Sequence, residues 1–235
     1  MLDMIGALCI GAIIAIDALG IVAFAAIARR ARIGAAALIA SWPAVLVALA
    51  AAGAMDPHAL RPVAAMPLAF VFAAASALVA WSCAPRFRAA LLSVPLAKLA
   101  GVHVLRIVGV FFLILFAQAR LPAPFAPLAG IGDIVTAGVA IGIVVRLGSG
   151  VAVSSRSIAL WNAFGALDLI VAVTLGVLSS PGALHVFGNP SGNALTSLPW
   201  LLIPTALVPF YLLTHLAIAA QLRGTRAPAV IAFAA

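Results

Sequence analysis

The stretch IGALCIGAIIAIDALGIVAFAAIA, residues 5–28, decides the fold. It carries a single charge, Asp17, and ends on Arg29, Arg30 and Arg32. A helix rising about 1.5 Å per residue needs about 20 apolar residues to cross the hydrocarbon of a bilayer, and this run is long enough. A cleaved signal peptide would carry its basic residues before a shorter apolar run. Here they follow a full-length one, so the segment reads as a retained transmembrane helix.

Working outward, six more apolar runs follow, at roughly 33–53, 67–83, 99–119, 131–147, 157–179 and 198–222. Turn-forming stretches separate them: Asp56-Pro57-His58, the proline-rich 121–127, and 180–197 with its Asn189-Pro190-Ser191-Gly192 turn. The expected fold is an all-α polytopic bundle of seven transmembrane helices in a single domain over residues 1–235.

Composition agrees. The chain of 235 residues is 66% hydrophobic and 8% charged, with a mean hydropathy of +1.31; soluble domains have about 45–50% apolar and about 25% charged residues. The formal charge of +8 would suggest nucleic acid in a soluble protein. Here the basic residues flank apolar runs, and no basic cluster interleaves with aromatics, so the expected surroundings are lipid and not nucleic acid.

The basic residues also set a direction. Arg29, Arg30, Arg32, Arg86, Arg88, Lys98, Arg146, Arg156, Arg223 and Arg226 fall on one set of connections, and the alternate set holds Arg61 and Arg120. The positive-inside effect then puts the N-terminus outside and the C-terminus in the cytoplasm. Twelve arginines to one lysine, with no glutamate and abundant alanine, fit a GC-rich bacterial genome and hence an inner membrane. Cys9 and Cys83 fall at opposite membrane faces and cannot pair. The stretch 86–98, basic but carrying Leu91, Leu92, Val94 and Leu96, reads as an interfacial helix broken at Pro95.

Function must sit in the polar residues that the membrane makes expensive, at about 2.5–3.5 kcal/mol for each charge near a helix centre. These are Asp17, Arg106 and Asp168, with His103, Asp133 and His215 nearer helix ends and Asn162 and Tyr211 as uncharged companions. By helical rise, Asp17 and Asp168 lie near the midplane, and His103, Asn162 and His215 in the inner half. Asp133 lies in the outer half, where a carboxylate at a helix N-terminus serves as a cap, or else as an outward-facing binding residue.

His103 and Arg106 share a face at i,i+3, and Tyr211 and His215 at i,i+4. Asn162 is rotated roughly 120° from Asp168. These positions place a site between helices one, four, six and seven. Two histidines at one depth fit axial haem ligands with Arg106 near a propionate, or a divalent metal held by His103, Asp168 and His215. The competing arrangement is an Arg106–Asp168 ion pair with both histidines hydrogen-bonded to neighbours. Pro204 and Pro209 predict a bent or unwound seventh helix with freed carbonyls. Gly138 and Gly142 form a GxxxG expected to support close helix packing.

Gly130-Ile131-Gly132-Asp133 resembles the GxGD signature of presenilin-like and signal-peptide-peptidase-like intramembrane aspartyl proteases. The resemblance implies a second aspartate on the preceding helix; this chain has His103 and Arg106 there, and no Pro-Ala-Leu motif follows. The seven-helix layout with an external N-terminus is similar to microbial rhodopsins. Their last-helix lysine is missing, since Lys98 precedes helix four, which excludes a retinal Schiff base. The layout is also similar to alkaline ceramidase-like zinc hydrolases, but His215 stands alone where they have a histidine pair.

The leading expectation is a haem- or metal-supported membrane enzyme or redox protein. His103, Arg106, Asp168 and His215 would form its catalytic site, acting on a small-molecule or lipid substrate. The alternatives are a proton-coupled transporter of a small solute or ion using Asp17 and Asp168, and a non-catalytic binding or assembly subunit.

Overall fold

The computed structural model describes residues 1–55, 65–180, 184–188 and 194–224. Arg61, Arg226, the Asp56-Pro57-His58 stretch and the Asn189-Pro190-Ser191-Gly192 turn lie outside the described residues. Within them the chain is all-helical and supplies seven helices long and apolar enough to cross a membrane, the architecture expected of a multi-pass membrane protein.

The first three spans are α1 (Leu2–Phe24), α2 (Arg29–Ala51) and α3 (Ala65–Cys83). The short α4 (Pro85–Leu92) follows, and then a fourth span built from α5 (Leu96–Val102), a 3₁₀ stretch (His103–Gly109) and α6 (Val110–Ala117). The fifth and sixth spans are α7 (Phe125–Gly148) and α8 (Ser155–Leu178). The seventh joins a π-helical turn (Ile203–Leu207) to α9 (Val208–Gly224).

Several boundaries differ from the expected ones for local reasons. Arg29 and Arg30 open α2 instead of preceding it, because arginine is a good helix former whose long stem lets the charge reach the interface. The seventh span starts at Ile203, since Pro199 and Pro204 leave the preceding residues in turns. The stretch read as one interfacial helix divides at Pro95: its first part forms α4, ending at Leu92, and its second part opens the fourth span as α5. Gln221 of α9 holds α4 by donating to the Leu92 and Val94 carbonyls, and the Ser93 hydroxyl accepts from the Ala26 amide.

Half of the fourth span and 56% of the seventh are buried, against 6% of the second, so spans four and seven form the centre and α2 the periphery. α7 packs on the 3₁₀ stretch, α6 and α8, while α9 packs on α8 and α3. Large apolar side chains such as Leu8, Leu19, Val79, Ile141 and Leu160 point outward. That is the pattern of a bundle whose solvent is hydrocarbon.

The prolines act as anticipated. Pro209 has no N–H for the Thr205 carbonyl one turn earlier, and the Trp42 indole of α2 supplies the missing donor at 2.8 Å. Pro204 leaves the Trp200 carbonyl to the Ile203 amide. At the other end of the bundle Trp200 packs its ring against Gly6 and donates to Asp3 at 2.7 Å, and Asp3 also receives Arg120 at 2.8 Å.

Gly138 and Gly142 are exposed and have no neighbour within contact distance. The expected GxxxG packing is therefore absent among the described residues. The close approaches occur at other glycines.

Candidate functional site

Arg106 is fully buried and sits on the 3₁₀ stretch of the fourth span. A guanidinium has five N–H donors in a rigid plane, and this one reaches three other helices. Its Nε donates to Asp133 Oδ1 of α7 at 2.7 Å, and its Nη2 to Asp168 Oδ2 of α8. Its Nη1 donates to the Gly165 carbonyl at 3.0 Å and faces His215 Nε2 of α9 at 3.2 Å.

Because arginine can only donate, the His215 Nε2 facing it must accept. Its proton is then on Nδ1, which donates to Asn162 Oδ1 at 2.8 Å. Asn162 Nδ2 returns a bond to the His215 carbonyl at 3.1 Å. The 120° between Asn162 and Asp168 is thus bridged by His215 and Arg106.

His103 stacks on His215 with ring centroids 4.0 Å apart. The Thr214 hydroxyl donates to the Tyr211 carbonyl and so accepts from His103 Nε2 at 3.1 Å. This leaves His103 Nδ1 as a bare acceptor, buried with no partner, as are the Thr136 hydroxyl and the Tyr211 hydroxyl.

Four glycines make the room. A Cβ on Gly132 would collide with the Asp168 carboxylate, and one on Gly109 with Asp133. A Cβ on Gly165 would stand 2.7 Å from His215 Cε1, and one on Gly130 would stand 2.9 Å from the Gly109 carbonyl oxygen. Gly130 and Gly132 belong to the GxGD stretch, and Gly109 and Gly165 face them from the neighbouring spans.

This geometry corrects three expectations. Asp133 is not a cap, because α7 begins eight residues earlier at Phe125; the aspartate lies in the helix interior, nearer the level of Arg106 than a start at Ile131 implied. The site lies between spans four, five, six and seven, and Asp17 of span one is outside it. The metal and haem arrangements lack their geometry. Arg106 occupies the space between Asp168 and His215 where a cation would bind, and stacked His103 and His215 rings leave no gap for a porphyrin between them. No group of three or more His, Cys, Asp or Glu among the described residues is placed to hold a metal. Nor do the aspartates reproduce the GxGD arrangement: Asp133 and Asp168 stand side by side on the Nε–Nη2 edge of one guanidinium, and Asp168 lies on the span after Asp133 instead of the one before it. The ion pair with hydrogen-bonded histidines is the arrangement observed.

A family model described as a domain of unknown function, DUF8737, matches residues 63–223. The chain belongs to that family. The DUF8737 match contains every residue of the Arg106 network and excludes most of the chain before α3. No curated protein and no solved structure matches the chain.

Glycine was the signal that sequence reading used least. Gly109 and Gly165 sit three residues from Arg106 and Asp168 respectively, the spacing at which a missing side chain clears space beside a buried charge.

Proposed function

We propose that the protein is an inner-membrane carrier, N-terminus outside, that couples movement of a small solute to protons at the Asp133–Arg106–Asp168 cluster. The observation that carries this reading is a charge mismatch: one guanidinium stands against two carboxylates in the centre of the bundle. With both carboxylates ionised the cluster keeps one negative charge in excess in a low-dielectric interior. A proton or another cation removes it.

The broken helices support the same reading. The 3₁₀ stretch carries His103 and Arg106, and the π turn lies just ahead of Tyr211 and His215. Departures from α-helical geometry inside a span often mark hinges and functional sites. A cavity of about 40 Å³, walled almost wholly by apolar side chains, reaches Asp133 between Phe112, Phe125 and Leu169.

Proteoliposomes loaded with a pH-sensitive dye and challenged with panels of small amines, amino acids, sugars and carboxylates test it. At least one class is expected to drive internal pH change, and Asp168→Asn to abolish it. Wild-type vesicles that match empty ones for every class, or an unchanged Asp168→Asn response, would sink the reading. A second reading, an assembly subunit without turnover, is favoured by the saturation of His215 and Asn162; unaltered cellular phenotype on substituting both aspartates would support it.

A further inference from the structure

A second polar group stands apart from the network. Asp17 is 2% exposed, and neither carboxylate oxygen has a partner at hydrogen-bonding distance. The Tyr211 hydroxyl faces it as a neutral polar neighbour, but no described cation is near it: Arg106 is spent on Asp133 and Asp168.

Asp17 lines a cleft of about 480 Å³ bounded by α1, α2, α3, α4, the π-helical turn and α9. That size is within the ~300–1,000 Å³ of small-molecule sites. The walls are apolar and partly aromatic, with Leu38, Trp42, Phe72 and Phe210 among them, and the described lining includes no basic side chain. Trp42 and Phe72 pair with centroids 5.2 Å apart, and the Trp42 indole is fixed on the Thr205 carbonyl, so the aromatic wall is held in place.

We infer that this cleft binds a lipophilic amine, with its apolar body along the aromatic wall and its ammonium on Asp17. Charge complementarity selects the class. A buried carboxylate without a counter-charge is costly and either takes up a proton or pairs with a cation; an ammonium supplies that cation. An anionic head is repelled, and a neutral alcohol leaves the charge uncompensated. Aromatic faces add a cation–π contribution that a carboxylate or alcohol head does not receive. An ordinary acyl chain would fill the apolar volume and leave Asp17 bare.

The inference is independent of the transport reading, because binding is read without turnover. The purified protein in nanodiscs is titrated with nitroxide-labelled stearylamine, and quenching of tryptophan fluorescence is followed. The Trp42→Phe variant identifies the component that arises in the cleft. Saturable quenching of that component by the amine is expected. Labelled stearic acid and stearyl alcohol should give only the unsaturable quenching of probe dissolved in lipid. Asp17→Asn is expected to weaken the amine at least about tenfold, which corresponds to about 1.4 kcal/mol, and Asp17→Glu to retain saturable binding. Equal quenching by all three probes on wild-type protein would overturn the proposal whatever the variants do. So would an unchanged amine affinity in a folded Asp17→Asn protein.

Discussion

At the scale of single residues, the centre of this molecule is organised by what arginine can and cannot do. Arg106→Leu would leave Asp133 and Asp168 buried without a counter-charge, and breaking such a pair costs about 3–5 kcal/mol. Set against a total stability of about 5–15 kcal/mol, this should appear as a large fall in melting temperature in detergent. Arg106→Lys should rescue little of it, because an ammonium cannot present a planar fork to two carboxylates, a carbonyl and an imidazole at once. Gly165→Ala pushes a methyl into the His215 ring and should cost about 1–3 kcal/mol by overpacking, measured by the same melt. The sequence made the polar members of this cluster visible, since each is expensive in lipid. It did not show which carboxylates Arg106 would choose. Asp133 looked too distant because the start of its helix was read six residues late, and the proline-rich approach to Phe125 hid the true start.

At the scale of elements, breaks in the helices are placed where cross-connections need them. The carbonyl that Pro209 frees at Thr205 becomes the anchor for α2 through Trp42. Trp42→Phe should cost about 0.5–1.5 kcal/mol, the net worth of a hydrogen bond. In a Pro209→Ala background the penalty should shrink, because alanine returns a helical donor to the same carbonyl; a double-mutant cycle measures the difference. Gly138→Leu, by contrast, should change stability by no more than about 0.5 kcal/mol, since nothing packs on that face. The length of the apolar runs revealed all seven spans, and proline chemistry the weak point of the last. The GxxxG reading failed because small residues mark a close contact only when a partner helix lies on their face, and that depends on tertiary arrangement.

At the scale of the whole molecule, the arginine asymmetry makes a definite prediction about direction in the membrane. Cys83 ends α3 and is exposed, so with the N-terminus outside it faces the cytoplasm. In a Cys9→Ser protein, a membrane-impermeant maleimide should label Cys83 in inverted vesicles and spare it in intact cells; labelling in intact cells would reverse the assignment. The bundle's own connectivity adds a constraint on how it is made. Asp133, Asp168 and His215 follow Arg106 in the chain by 27, 62 and 109 residues. A ribosome feeding this protein into the bilayer therefore delivers the buried cation before any of the side chains that neutralise or orient it. When span four arrives, the only acid within an earlier span's interior is Asp17. The growing chain must shelter an unmatched arginine until α7 brings Asp133, which makes synthesis order, as much as the finished contacts, a condition for this core to exist.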